Sequence, residues 1–232
     1  MNHFSIQLVA LLSLTLLLPN THGWGDDGHV IVCKIAQARL SKTAAEAVQK
    51  LLPKSAGNDL STKCSWADHV HHIYPWSSAL HYANTPDAPL HCGFLSDSGG
   101  NTINVKWYTR KQNLHHVWDQ IILQTEVDKF YDSDMDEFVD AIQQNITKVW
   151  ANEVEEWEHC GNNDLPCPAQ YASESSIDAC KWAYKDATEG SVLNDDYFLS
   201  RLQIVNLRLA QAGVRLAAIL NRVFDRKLSS SM

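Results

Sequence analysis

Basic residues are in short supply. The 232 residues include 19 Lys and Arg against 27 Asp and Glu, a formal net charge of −8. A chain of that sign has no general electrostatic attraction for a phosphate backbone. Any phosphate chemistry it performs needs a local source of positive charge. Long apolar runs are also scarce. One stretch, Phe4 to Leu18, is mostly apolar, and it is too short to span a bilayer. No other segment could cross a membrane. Internal repeats, low-complexity segments and linker-like stretches are absent too. What remains is one globular domain, long enough to bury a real core.

The apolar run sits where a secretory signal would place its hydrophobic region, although Lys and Arg are missing before it. Pro19, Asn20 and small or polar residues follow, so cleavage is expected after Gly23. Residues 1–23 then form a signal peptide, residues 24–232 a single domain, and Trp24 the mature N-terminus. The protein is expected to be secreted, and secretion permits disulfides. Six cysteines are present: Cys33, Cys64, Cys92, Cys160, Cys167 and Cys180. Cys160 and Cys167 could close a short loop around Pro166, and Cys33 and Cys64 could tie two early helices together. Cys92 and Cys180 have no obvious partners, and spacing alone does not fix connectivity. Asn145-Ile-Thr is a glycosylation sequon.

Periodicity points to a mainly α domain. Helices are expected over Asp26–Leu40, Thr43–Leu52 (opened by a Thr43/Glu46 capping box), Cys64–His72, Leu114–Val127, Met135–Trp150 and Asp195–Phe224. In the Met135 helix, Phe138, Ile142, Ile146 and Val149 fall in register. The last helix has an apolar stripe through Leu202, Val205, Leu209, Ala212, Leu216 and Leu220, with Arg208, Arg215 and Arg222 off it. Gly93–Trp107 reads as a small β-hairpin turning through Asp97–Asn101, because Ile103, Val105 and Trp107 alternate with polar residues.

The chemistry concentrates between Leu80 and Asp119. His115 and Asp119 are four residues apart, so a helix sets them on one face, one turn apart. An imidazole and a carboxylate so placed can hold one metal ion, and zinc suits both. A catalytic zinc needs three protein ligands and an open position, and His91 is the candidate third. His29, Asp68 and the N-terminal Trp24, with its amino nitrogen and carbonyl oxygen, are further candidates. Taken singly, each also has an ordinary role as surface residue, cap or packed aromatic.

Together these residues form a pattern. Trp24-Gly25 with His29, Cys64-Ser-Trp-Ala-Asp68, Leu80-His81, Thr85-Pro86-Asp87, Pro89-Leu90-His91-x-Gly93-Phe94, Ser96-Asp97-x-Gly99-Gly100-Asn101 and Asn113-Leu-His-His-Val-Trp-Asp119 resemble the zinc-dependent single-strand nucleases of fungi and plants. Glu174-Ser-Ser-Ile, Ala179-Cys-Lys-Trp182 and Asp195-Asp-Tyr-Phe look similar too, and the plant bifunctional nucleases fit best.

The resemblance implies a helical fold shared with zinc-dependent phospholipase C and a cluster of three zinc ions. It implies cleavage of single-stranded DNA and RNA to 5′-phosphate products, with activity on 3′-nucleotides, by a monomer that does not bind membranes. Carried over, one zinc would use His91, His115 and Asp119. A second would use the amino and carbonyl groups of Trp24 with His29, and a third Asp68 and His81. Asp68 would also orient the attacking water. Tyr82 stands where relatives stack a base, and Asn84 where they contact a base edge; His71 replaces an Arg that many relatives place near the phosphate. Two family ligands, a His and a bridging Asp, have no counterpart, because a block is missing near Asp87–Ala88. The block carries the family's partner for the cysteine matching Cys180. Two alternatives remain: an inactive or partly metallated form, and a zinc-dependent phospholipase C.

Overall fold

The computed structural model describes residues 24–70, 73–80, 97–159 and 167–229. Helix α1 (Asp26–Gln37) buries Ile31, Cys33, Ile35 and Ala36. Helix α2 (Lys42–Leu51) starts earlier than the capping-box reading placed it, because the Ser41 side chain accepts from the Ala44 N–H and serves as the cap. Two 3₁₀ turns, Lys54–Ala56 and Leu60–Lys63, lead into α3 (Trp66–Val70), a short helix with no buried residue.

Strands β1 (Asn104–Trp107) and β2 (Arg110–Asn113) pair antiparallel, with Asn104 opposite Asn113 and Trp107 opposite Arg110. Val105 and Trp107 point inward, as their alternation requires. The hairpin itself lies further along the chain than expected. It turns after Trp107 through Tyr108, at φ 55°, and residues 97–101 form a separate loop. The second strand, Arg-Lys-Gln-Asn, is wholly polar and gave no alternation to read.

Helix α4 begins as Leu114–His116, widens into a π turn over Val117–Ile121 and resumes over Ile122–Phe130. Helix α5 (Met135–Lys148) is opened by Asp134, whose carboxylate accepts from the Asp136 and Glu137 N–H groups. It buries Phe138, Ile142 and Ile146 as expected, but Val149 falls at its C-cap and is 66% exposed. Asn145 lies half-buried in its last turns. Helices α6 (Val154–Glu158) and α7 (Pro168–Asp178) follow, the latter with Pro in its first turn and a π turn over Ala179–Ala183. Strand β3 (Val192–Leu193) joins β1 in parallel, giving a three-stranded sheet ordered β2-β1-β3.

Helix α8 (Asp195–Ser229) packs across α1. Gly213 marks their close approach: a Cβ there would fall 2.3 Å from Ile35 Cγ2. The core gathers Ile31, Ile35, Leu114, Val117, Phe138, Phe198, Val205 and Leu209. Arg215, read as off the apolar stripe, is only 9% exposed. Glu174 of α7 lies over it, accepting from Arg215 Nη2 at 2.7 Å and Arg208 Nη1 at 3.0 Å. No helix among the described residues is long and apolar enough to cross a membrane. Cys33 and Cys64 are bonded, as expected, with Cα atoms 6.4 Å apart. Cys167 is disulfide-bonded, while Cys160 and Cys92 lie outside the described residues. Cys180 is a free, exposed thiol.

Candidate metal centre

The residues before α1 dock onto the π turn of α4. Trp24 lies over Gly28, where a Cβ would come within 2.6 Å of the Trp24 Cβ. The Gly25 N–H donates to the Asp119 carbonyl oxygen at 3.0 Å. Asp119 sits inside the π turn, a distortion often found at functional sites. Neighbouring Trp118 fixes the rotation of that turn by donating from Nε1 to the Tyr197 hydroxyl at 2.8 Å.

Two His–Asp pairs meet here. His115 Nε2 lies 2.9 Å from Asp119 Oδ2, and the His115 side chain is 5% exposed. His29 Nε2, on α1, lies 3.0 Å from Asp68 Oδ2, on α3. Burial raises the Asp119 carboxyl above the usual carboxylate range; His115 and His116 pull it back, and Asp68 pushes it further up.

The donor chemistry fits a divalent metal. His115 Nδ1 faces the Gly99 carbonyl oxygen at 2.8 Å. A carbonyl only accepts, so Nδ1 carries the hydrogen. In a neutral ring Nε2 is then a lone pair aimed at a carboxylate oxygen, and a proton or a cation must lie between them. The His29 pair makes the point more sharply: Nε2 is buried and, among the described residues, has no hydrogen-bond partner despite the nearby carboxylate. Its line of approach is wrong for a shared proton. Two donors on one tetrahedral zinc with bonds of about 2.0–2.2 Å stand about 3.3–3.6 Å apart, a few tenths of an ångström wider than these pairs.

Trp24, His29, Asp68, His115 and Asp119 are thus brought together. His81, Tyr82, Asn84 and His91 lie outside the described residues, as does His71. Among the described residues no three metal-binding side chains converge on one point. Sequence reasoning passed over two features. Asp26 Oδ1 stands 3.6 Å from His69 Nε2 on the exposed rim, beside the His29–Asp68 pair. The 97–101 loop supports His115, and its Gly-Gly pair was the available signal.

Comparison with known proteins places a chain of this fold, with these two His–Asp pairs, among the nucleases. The S1/P1 nuclease family model matches residues 24–88 and again 87–225, and the chain belongs to that family. It is 44% identical to Endonuclease 2 of Arabidopsis thaliana, over 94% of this chain and 97% of that protein. It is 40% identical to Endonuclease 4 of the same plant, over 94% of each. Nuclease P1 of Penicillium citrinum is more distant at 23%, over 89% of this chain and all of that protein. The match to Endonuclease 2 runs over 281 positions, yet 94% of this chain is only about 218 residues. About 60 positions of that relative therefore face a gap.

Proposed function

We propose that the protein is a secreted zinc-dependent endonuclease of single-stranded DNA and RNA, releasing 5′-phosphate products and acting on 3′-nucleotides, and that this chain is a shortened form with impaired activity. The observation that carries the site reading is the docking of Trp24-Gly25 against Asp119 beside two facing His–Asp pairs. His91, His115 and Asp119 would hold one zinc, Trp24 and His29 a second, and Asp68 and His81 a third. When bound, zinc supplies a nucleophilic water near neutral pH and stabilises developing negative charge. It also gives this acidic chain its local attraction for phosphate. Asp68, set by α3 opposite His29, orients the water. Tyr82 offers a stacking surface that favours unpaired bases, and Asn84 a polar contact to a base edge. The leader and the disulfides support export to an oxidising compartment, and the chain would work as a monomer.

Impairment follows from ligand counting. The two-part match meeting at 87–88 and the gap of about 60 positions support loss of an internal block. The block would carry a His and the bridging Asp, so two close ions would lack a shared carboxylate to offset their repulsion. The test compares the chain as it stands with a form carrying the Endonuclease 2 block between Asp87 and Ala88. Both are secreted from a eukaryotic host, assayed for zinc per molecule, and given single-stranded DNA. The longer form should hold more zinc and digest the DNA; equal zinc and equal rates would overturn the account. A zinc-dependent phospholipase C would cleave phosphatidylcholine vesicles in the same assay and leave the DNA intact.

A further inference from the structure

The 97–101 loop is half-buried at its ends and buried at Gly99 and Gly100, and its backbone is unusual. Ser98, Gly99 and Gly100 have φ of 53°, 68° and 86°, three successive residues in the left-handed region. Side chains disfavour that region, so the run must be held. Asp97 holds it. Its Oδ1 accepts from the Gly100 N–H at 2.8 Å and from the Tyr184 hydroxyl at 3.1 Å. Its carbonyl accepts from the Thr102 N–H and hydroxyl, both at 3.2 Å. Asn101 closes the loop by donating from Nδ2 to the Ser98 carbonyl at 2.8 Å.

The held loop aims two consecutive carbonyls at the start of α4. Gly99 O meets His115 Nδ1 at 2.8 Å, and Gly100 O accepts from the His115 N–H at 3.4 Å. A Cβ on Gly100 would make only ordinary contact with His115 N at 3.4 Å and Leu114 Cβ at 3.5 Å, so it is the backbone, at φ 86°, that favours glycine there. One short loop therefore grips His115 by ring and by backbone.

We propose that Asp97 is a positioning residue for the metal centre. Braced by Tyr184, it fixes the Gly99 carbonyl, which sets the tautomer and ring plane of His115 and leaves Nε2 facing Asp119. Donation from Nδ1–H also raises the basicity of Nε2, the effect by which outer partners tune metal ligands. The inference rests on His115 and Asp119 being zinc ligands.

The experiment uses the full chain secreted from a eukaryotic host, as wild type and as D97A, D97N, Y184F and D119N. Zinc affinity is measured by competition with a chromophoric chelator, and Tm with and without zinc. D97A should weaken one zinc by about 10- to 100-fold and shrink the zinc-dependent rise in Tm. D97N keeps an acceptor oxygen and should restore most of the affinity. A D97A protein that loses the same Tm with and without zinc, at unchanged affinity, would make the loop merely structural and overturn the proposal. If D97A does not fold, Y184F decides: weakened zinc supports the proposal, unchanged affinity overturns it. Unchanged zinc content in D119N is a separate failure, that of the site reading on which the proposal stands.

Discussion

Glu126 sets a pH limit on stability that a single substitution should remove. It lies on α4, 3% exposed, and accepts from Asn206 Nδ2 of α8 at 2.7 Å through Oε1. Its Oε2 and the Asn206 Oδ1 are both buried and have no hydrogen-bond partner among the described residues. Burial pushes this carboxyl up to about 7, and the Asn206 bond only partly opposes it. Protonation makes Oε2 a donor, and Asn206 offers the unused acceptor on the same partner. The sign follows from proton counting. Below pH about 4.5 native and unfolded chains both bind the proton. Between about 4.5 and 7 the unfolded chain releases it and the native chain keeps it, so stability falls as pH rises. Above 7 the loss is complete. A shift of about 2.5 units at about 1.36 kcal/mol per unit amounts to about 3 kcal/mol. E126Q keeps the shape, supplies a permanent donor and carries no charge to bury. Measured in chelator, to exclude metal linkage, E126Q and wild type should be about equally stable at pH 4. The Gln form should gain with rising pH until it leads by about 3 kcal/mol near pH 8. For a chain of this length that is about 6–12 °C in Tm. A difference that stays constant from pH 4 to pH 8 would refute the reasoning.

Breaking the Cys33–Cys64 bond with C33S/C64S reopens a loop spanning 31 residues; the loss should be about 3–4 kcal/mol, read from urea unfolding with the wild type alongside. G213A forces a methyl against Ile35 and within 3.2 Å of the Val32 carbonyl. It should destabilise by about 1–3 kcal/mol or more, and pairing it with Ile35→Ala should recover part of that in a double-mutant cycle. N-terminal sequencing of secreted protein should begin at Trp24. One extra residue before Trp24 should lower zinc content, since the amino group is then no longer on Trp24; unchanged zinc would exclude the terminus as a ligand.

The parts legible in the sequence were those with a strong local signal. His115 and Asp119 were readable because four residues of helix place two side chains on one face, and the π turn does not pull them apart. The core of α5 and the inward faces of Val105 and Trp107 followed from period alone. What stayed hidden depended on tertiary partners. Helix α7 buries no residue, so it has no apolar stripe to detect, and no helix was expected there. Arg215 looked like a solvated charge until Glu174 was placed above it. The Asp97–Asn101 run was read as a hairpin turn because Gly-Gly fits such turns. Its true task, supporting His115, needs a contact across sixteen residues of sequence. The pairing of His29 with Asp68 joins helices with a disulfide between them and leaves no trace in spacing.

That disulfide has a consequence for where the centre can be assembled. Helix α3 buries no side chain; the disulfide, the Leu60 N–H bond to Gln37 Oε1 and the Asp26–His69 ion pair tie its segment to α1 and keep Asp68 near His29. Cys64 stands four residues before Asp68, and Cys33 one helical turn after His29. The bond is a very short tether, giving Asp68 a high effective concentration at its partner. Reduced, the same chain could still bury its core while Asp68 wandered from the centre. On the proposed role of Asp68, this half of the centre would be assembled only where thiols are oxidised.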